Sequence, residues 1–226
     1  MDKSLLVKNW GFWLGIIERI TILYFGIWTF FNTHLFYIQM KGLVSRQAFF
    51  IALIFVVPFL AWKRKISLKD FPFKTDAVLL SPLLVDTIGN FSSRFILNYD
   101  RWDFFDKIAH FWGSGVFTFL ACTVLISRFY NRNKETEIFY FFWICVAIGV
   151  LSELFWEIWE YYYDFKHGTI LVGGTGDTIG DIVAGFFGSL VFSGLYSFWY
   201  IKLRPESKKK YLSGLSRLFN GGANIQ

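Results

Sequence analysis

Charged residues make up only 18% of this 226-residue chain, and cysteine appears twice. So thin a polar supply cannot cover a water-facing surface when 54% of the residues are hydrophobic and 29 are phenylalanine. A soluble domain of this length has no interior large enough for that many rings. Cys122 and Cys145 both lie inside apolar runs, which excludes a disulfide framework and a cysteine zinc knuckle. There is no HExxH pair, no Ser-His-Asp order and no recognisable nucleophile elbow around Ser114 or Ser152. Gly173, Gly174 and Gly176 lack the strand before and the Lys-Ser/Thr after that a phosphate-binding loop needs. No cleavable signal peptide is expected, because the first apolar stretch is long and is interrupted by Glu18-Arg19. What the chain does have is long apolar runs, and these predict a multi-pass membrane protein.

The expected fold is all-α, a polytopic transmembrane bundle of about six helices forming one integral membrane domain over residues 1–226. The runs fall at about 10–38, 47–62, 76–92, 107–127, 137–160 and 178–201, against the roughly 20 residues a helix needs to cross the hydrocarbon. The run 76–92 is the weakest, being short and carrying Pro82 and Asp86. With both termini cytoplasmic, the cytoplasmic segments hold 16 of the 23 basic residues, as the positive-inside rule requires. The clusters KRKISLK (63–69) and KLRPESKKK (202–210) therefore read as topology signals at an anionic membrane face, and no nucleic-acid partner is expected. Residues 203–226 form a cytoplasmic tail, and YLSGLSRLFNGGANIQ within it has the pattern of a short amphipathic surface helix.

Against this apolar background the acids stand out. Glu153, Glu157, Glu160 and Asp164 sit at i, i+4, i+7 and i+11, which at 100° per residue places them within about 60° of one another. Asp103, Asp106 and His110 share a face of the preceding helix, and Asp177 and Asp181 lie one turn apart at the start of the last. With Asp86, all point to the outer leaflet in the predicted topology. Charge in lipid costs about 2.5–3.5 kcal/mol per residue, so such repeated placement predicts a shared, outward-facing polar cavity. Trp156, Trp159 and Tyr161 to Tyr163 supply an aromatic belt at the same depth. Gly176, Gly180, Ala184 and Gly188 form a small-residue stripe that admits a neighbouring helix. The alternative for each acid is structural: Asp106, Asp177 and Asp181 as helix-start residues, Glu160 and Asp164 as solvated groups, and a Glu paired with Lys107 or Arg101.

The order DKIAHF, then SELFWEIWE, then a Gly-Asp-rich entry to the last helix resembles the YjdF-type bacterial inner-membrane family and, more distantly, VanZ-like membrane proteins. The resemblance rests on Asp106, Lys107, His110 and Phe111 with NYDR (98–101) upstream, on Glu153 and Glu157, and on Gly176, Asp177 and Asp181. It covers about residues 78–200, and Asp86 stands where it implies a histidine. It implies a multi-pass protein of the inner membrane, and the VanZ-like link to glycopeptide resistance points to envelope lipids or lipid-linked precursors.

One histidine among several carboxylates suits a divalent ion with an open position for water. The expected ligands are Asp106, His110, Glu157, Asp177 and Asp181, and the expected catalytic carboxylates are Glu153, Glu157 and Glu160. His34 and His167 map to the same end and are further candidates. The expected reaction is metal-assisted hydrolysis or processing of an envelope lipid. Two other classes stay open: a non-catalytic protein that binds lipid headgroups or cations, and a small transporter. Against transport, ICVAIGVL and VFSGLYSFWY are nearly uncharged.

Overall fold

A computed structural model of the chain describes residues 9–31, 48–67, 71–91, 103–131, 137–168 and 172–220. Among these residues there are helices and no strand. The chain divides into two units, Met1–Trp102 and Asp103–Gln226.

The first unit contains α1 (Trp10–Phe31), α2 (Val56–Lys63) and α3 (Phe73–Phe91). The side chain of Asn9 caps α1 by accepting from the Gly11 amide at 3.2 Å. The buried row of α1 is Gly11, Gly15, Glu18, Ile22, Gly26 and Thr29, one helical stripe. Ile22 packs with Phe50, Ile54 and Leu80. Two prolines leave carbonyls without their helical partners, and each carbonyl finds a substitute. Pro58 has no N–H for the Ile54 carbonyl four residues back, and Arg19 Nε donates to it at 3.1 Å. Pro82, inside α3, leaves the Val78 carbonyl open, and Ser81 Oγ donates to it at 2.8 Å. Arg19 also donates to the Gly15 carbonyl at 3.1 Å and pairs with buried Asp76 at 2.7 Å. Composition alone did not point to this Arg19-Asp76 pair, because its members lie on different helices.

The second unit contains α4 (Asp103–Asn131), α5 (Ile138–His167), α6 (Thr175–Lys202) and α7 (Pro205–Asn220). Gly168, with φ of 66°, closes α5 in the left-handed conformation that glycine adopts freely, its amide donating to the Asp164 carbonyl at 2.8 Å. The turn into α6 uses Gly173 and Gly174, both at positive φ. The Asp164 carboxylate accepts from the Val172 amide at 2.9 Å, so this acid ties the turn down. α6 packs closely on α4, where Gly188 lies against the Phe111 carbonyl with no room for a Cβ. At the far end Cys122, Ile126, Phe141, Cys145, Tyr196 and Leu212 form an apolar cluster that draws α7 onto the bundle.

Among the described residues, four helical stretches are long and apolar enough to cross a membrane: Trp10–Phe31, Phe104–Arg128, Ile138–Lys166 and Thr175–Lys202. The apolar stretch Ala48–Lys63 is shorter. The segment expected as a weak third span is the 19-residue α3, which falls outside those four. Residues 32–38, expected at the end of the first span, lie outside the described residues. The polarity of these helices is inverted relative to a soluble bundle: on α5, Leu151, Phe155, Ile158 and Tyr162 are exposed while Glu153 and Glu157 are buried. A polytopic helical membrane protein is the architecture that accounts for this.

Candidate functional site

Four-residue steps place Glu153 and Glu157 on one row of α5, and His110 and Ser114 on one row of α4. Asp181 heads the corresponding row of α6, and all three rows are buried in the second unit. The His110 imidazole stands between two sets of carboxylates. Its Nδ1 contacts Glu153 Oε1 and lies 3.7 Å from Glu157 Oε1. Its Nε2 lies 3.5 Å from Asp106 Oδ1 and 3.8 Å from Asp181 Oδ1. The second oxygen of Glu153 accepts a hydrogen bond from Ser114 Oγ. Gly185 makes this possible, since a Cβ there would stand 2.6 Å from Glu153 Cγ.

Lys107 organises the mouth of the site. Its ammonium bonds Asp177 Oδ1, approaches Asp181 Oδ1 at 2.6 Å and reaches Asp106 Oδ2 at 3.3 Å. The sequence reading offered Lys107 a Glu partner; the structure gives it three aspartates from two helices. One ammonium against three carboxylates leaves net negative charge even before Glu153 and Glu157 are counted. Glu160 is held by the Trp156 indole N–H at 2.9 Å.

Glu157 is the unusual member. It is 6% exposed, and neither of its oxygens has a hydrogen-bond partner. A buried carboxylate without hydrogen bonds is costly, so a further partner is chemically called for at this point.

Among the described residues, two overlapping groups present ligand atoms within 4.8 Å of one another: Asp106, His110 and Asp181, and His110, Glu153 and Glu157. Asp177, also an expected ligand, is instead bound to Lys107. The side chains of Asp103 and His167, and all of His34, lie outside the described residues. Asp86 belongs to α3 of the first unit. Sequence reasoning passed over Ser114 as a Glu153 partner, although its four-residue step from His110 was the available signal.

The family described as a predicted membrane protein, DUF2238, matches residues 16–202, most of the chain and all of the site. A Thermotoga maritima protein described as uncharacterized is 30% identical over 102 residues, 44% of this chain and 49% of that protein. The chain thus matches about half the length of that curated relative. No solved structure matches it.

Proposed function

We propose that this chain, which belongs to the DUF2238 family of predicted membrane proteins, holds a divalent cation between His110, Glu153 and Glu157 and uses it to hydrolyse an envelope lipid or lipid-linked substrate. The observation that carries the reading is Glu157, buried beside His110 and Glu153 with neither oxygen hydrogen-bonded. A cation there would satisfy it. The Nδ1 side is favoured over the Nε2 side because Lys107 already neutralises part of the Asp106-Asp177-Asp181 group. A metal-bound histidine generally directs its other N–H at a carboxylate, and Asp106 and Asp181 are positioned to receive it from Nε2.

When bound, such an ion lowers the pKa of a coordinated water and polarises a carbonyl or phosphoryl oxygen. Ser114 and Gly185 hold Glu153 in place. Glu160, steadied by Trp156, is the carboxylate left to move a proton. The proposal includes the inner membrane as the location, both termini in the cytoplasm, one integral domain and membrane lipids as partners. The likeness to YjdF-type and VanZ-like proteins supports the envelope substrate.

Elemental mass spectrometry of the detergent-purified protein tests the cation. One equivalent of a divalent ion, lost in His110→Ala and Glu157→Gln, is the expected result. Folded wild type that carries none, and takes up none from zinc, manganese, magnesium or calcium, overturns the reading. The Lys107 ammonium seated among three aspartates would then favour the second reading, recognition of a cationic lipid headgroup by the same acids.

A further inference from the structure

The polar rows do not stop at the acids. On α4, His110 is followed at four-residue steps by Ser114, Thr118 and Cys122. On α6, Asp181 is followed by Gly185, Ser189, Ser193 and Ser197, and on α5, Glu157 and Glu153 continue to Gly149, Cys145 and Phe141. The rows meet level by level. Ser114 bonds Glu153. Thr118 Oγ1 and Ser189 Oγ both lie where a Cβ on Gly149 would be. Cys122 meets Cys145 and Ser193. Below them the Phe141 ring faces Tyr196, whose hydroxyl lies near Thr123 and 3.4 Å from the Tyr211 hydroxyl of α7.

This is a file of hydroxyls running from the acidic site to the α7 end of the bundle. An uncharged sequence such as VFSGLYSFWY conceals it, because hydroxyls carry no charge to notice. Packing alone does not account for it. Serine and threonine in apolar helices normally return their hydroxyls to their own helix, as Thr118, Thr123 and Ser127 do. Ser193 instead donates across to the Phe142 carbonyl of α5 at 3.0 Å. Ser189 Oγ and Ser197 Oγ are buried without a hydrogen-bond partner. Glycine or alanine would pack as closely without leaving unpaired hydroxyls in the interior.

We infer that this file conducts protons between the acidic site and the α7 end of the second unit. Serines at four-residue steps are separated by about 6 Å along the helix, a gap that one water spans, and Ser189 and Ser197 have open positions to bond such waters. In each hop an oxygen lone pair takes a proton while the O–H already on that oxygen passes its own proton onward. The hydroxyls are regenerated when they rotate back, and nothing is oxidised or reduced. The file begins at Ser114, against the acidic site, and ends at the Tyr196 and Tyr211 hydroxyls. The inference uses the geometry of the site and needs no bound cation.

Proteoliposomes with an entrapped pH-sensitive dye and an imposed potassium potential test it. Wild type is expected to pass protons faster than protein-free vesicles. Ser189→Ala and Tyr196→Phe are each expected to slow the flux about tenfold, the rate equivalent of one lost hydrogen bond. Ser152→Ala, whose hydroxyl serves only the Gly149 carbonyl of its own helix at 2.6 Å, is expected to leave it unchanged. Wild-type flux equal to that of empty vesicles overturns the inference, as does undiminished flux in both file variants. Monodisperse elution identifies folded variants, and Ser197→Ala replaces either one that fails. Cation content is measured on the same preparations. Cation without flux sinks the proton file alone, and flux without cation sinks only the cation reading.

Discussion

Single side chains in the second unit sit at close tolerances, and the tolerances differ by neighbour. A methyl at Gly185 would stand 2.6 Å from Glu153 Cγ and 2.7 Å from its Cδ, atoms already fixed by His110 and Ser114. Gly185→Ala is therefore expected to cost about 1–3 kcal/mol of stability by overpacking and to weaken cation retention by displacing Glu153. A methyl at Gly180 would stand 2.9 Å from Lys107 Cε, part of a flexible chain, and so Gly180→Ala is expected to be milder on both counts. Thermal unfolding in detergent with parallel metal analysis compares them. Equal effects would show that Glu153 is not the sensitive neighbour. Lys107→Met has a different signature. It leaves buried Asp181 facing Asp106 and Asp177 without the shared ammonium. The expected loss is about 2–3 kcal/mol, below that for a fully buried pair because Lys107 is partly solvated. Raising the divalent cation concentration should recover part of it, since an added cation replaces the missing charge.

Helices in this chain are repaired from outside where proline interrupts them. In the first unit the Ile54 carbonyl, left open by Pro58, depends on Arg19 Nε, while the rest of the guanidinium holds Gly15 and Asp76. A lysine carries one compact ammonium and cannot serve all three. Arg19→Lys is expected to lower stability by about 1–2 kcal/mol. In a Pro58→Ala background the helix regains the amide that Ile54 lacked, so the Arg19→Lys loss should shrink by about 1 kcal/mol. Thermal unfolding of the four proteins in the cycle measures this coupling, and an identical loss in both backgrounds would show that Arg19 is not the cap. Neither pairing was readable beforehand. Local spacing revealed that Glu153 and Glu157 share a face of α5, because a helix fixes angles between its own residues. It did not reveal that Arg19 meets Asp76 or that Lys107 meets Asp177, since those contacts are set by how helices pack. The same distinction explains why the acidic stripes were legible while Ser189 and Ser197 were not, and why Ser114 was weighed only as a nucleophile.

On the scale of the whole chain, composition specified the class through a physical inversion: apolar residues face outward and polar rows face inward. Element number was less legible, because α3 and the Ala48–Lys63 stretch are too short or too polar to declare themselves as spans. Orientation is a separate question, and the charge pattern yields an expectation for it. In the second unit, Lys202, Arg204, Lys208 and Lys209 gather at the junction of α6 and α7, while Asp106, Glu157, Asp177 and Asp181 lie toward the opposite end of the long helices. By the positive-inside rule the basic end is expected in the cytoplasm and the acidic end is expected to open to the outside. Single cysteines can read this directly, because Cys122 and Cys145 are fully buried and contribute little background. Thr175 and Ser207 are both exposed, at the acidic and basic ends respectively. Thr175→Cys is expected to react with a membrane-impermeant thiol reagent in intact cells, and Ser207→Cys only after permeabilisation. The reverse pattern would place the acidic site on the cytoplasmic side. Its substrate would then have to be sought among cytoplasmic lipid precursors, even if the cation chemistry at His110 and Glu157 held.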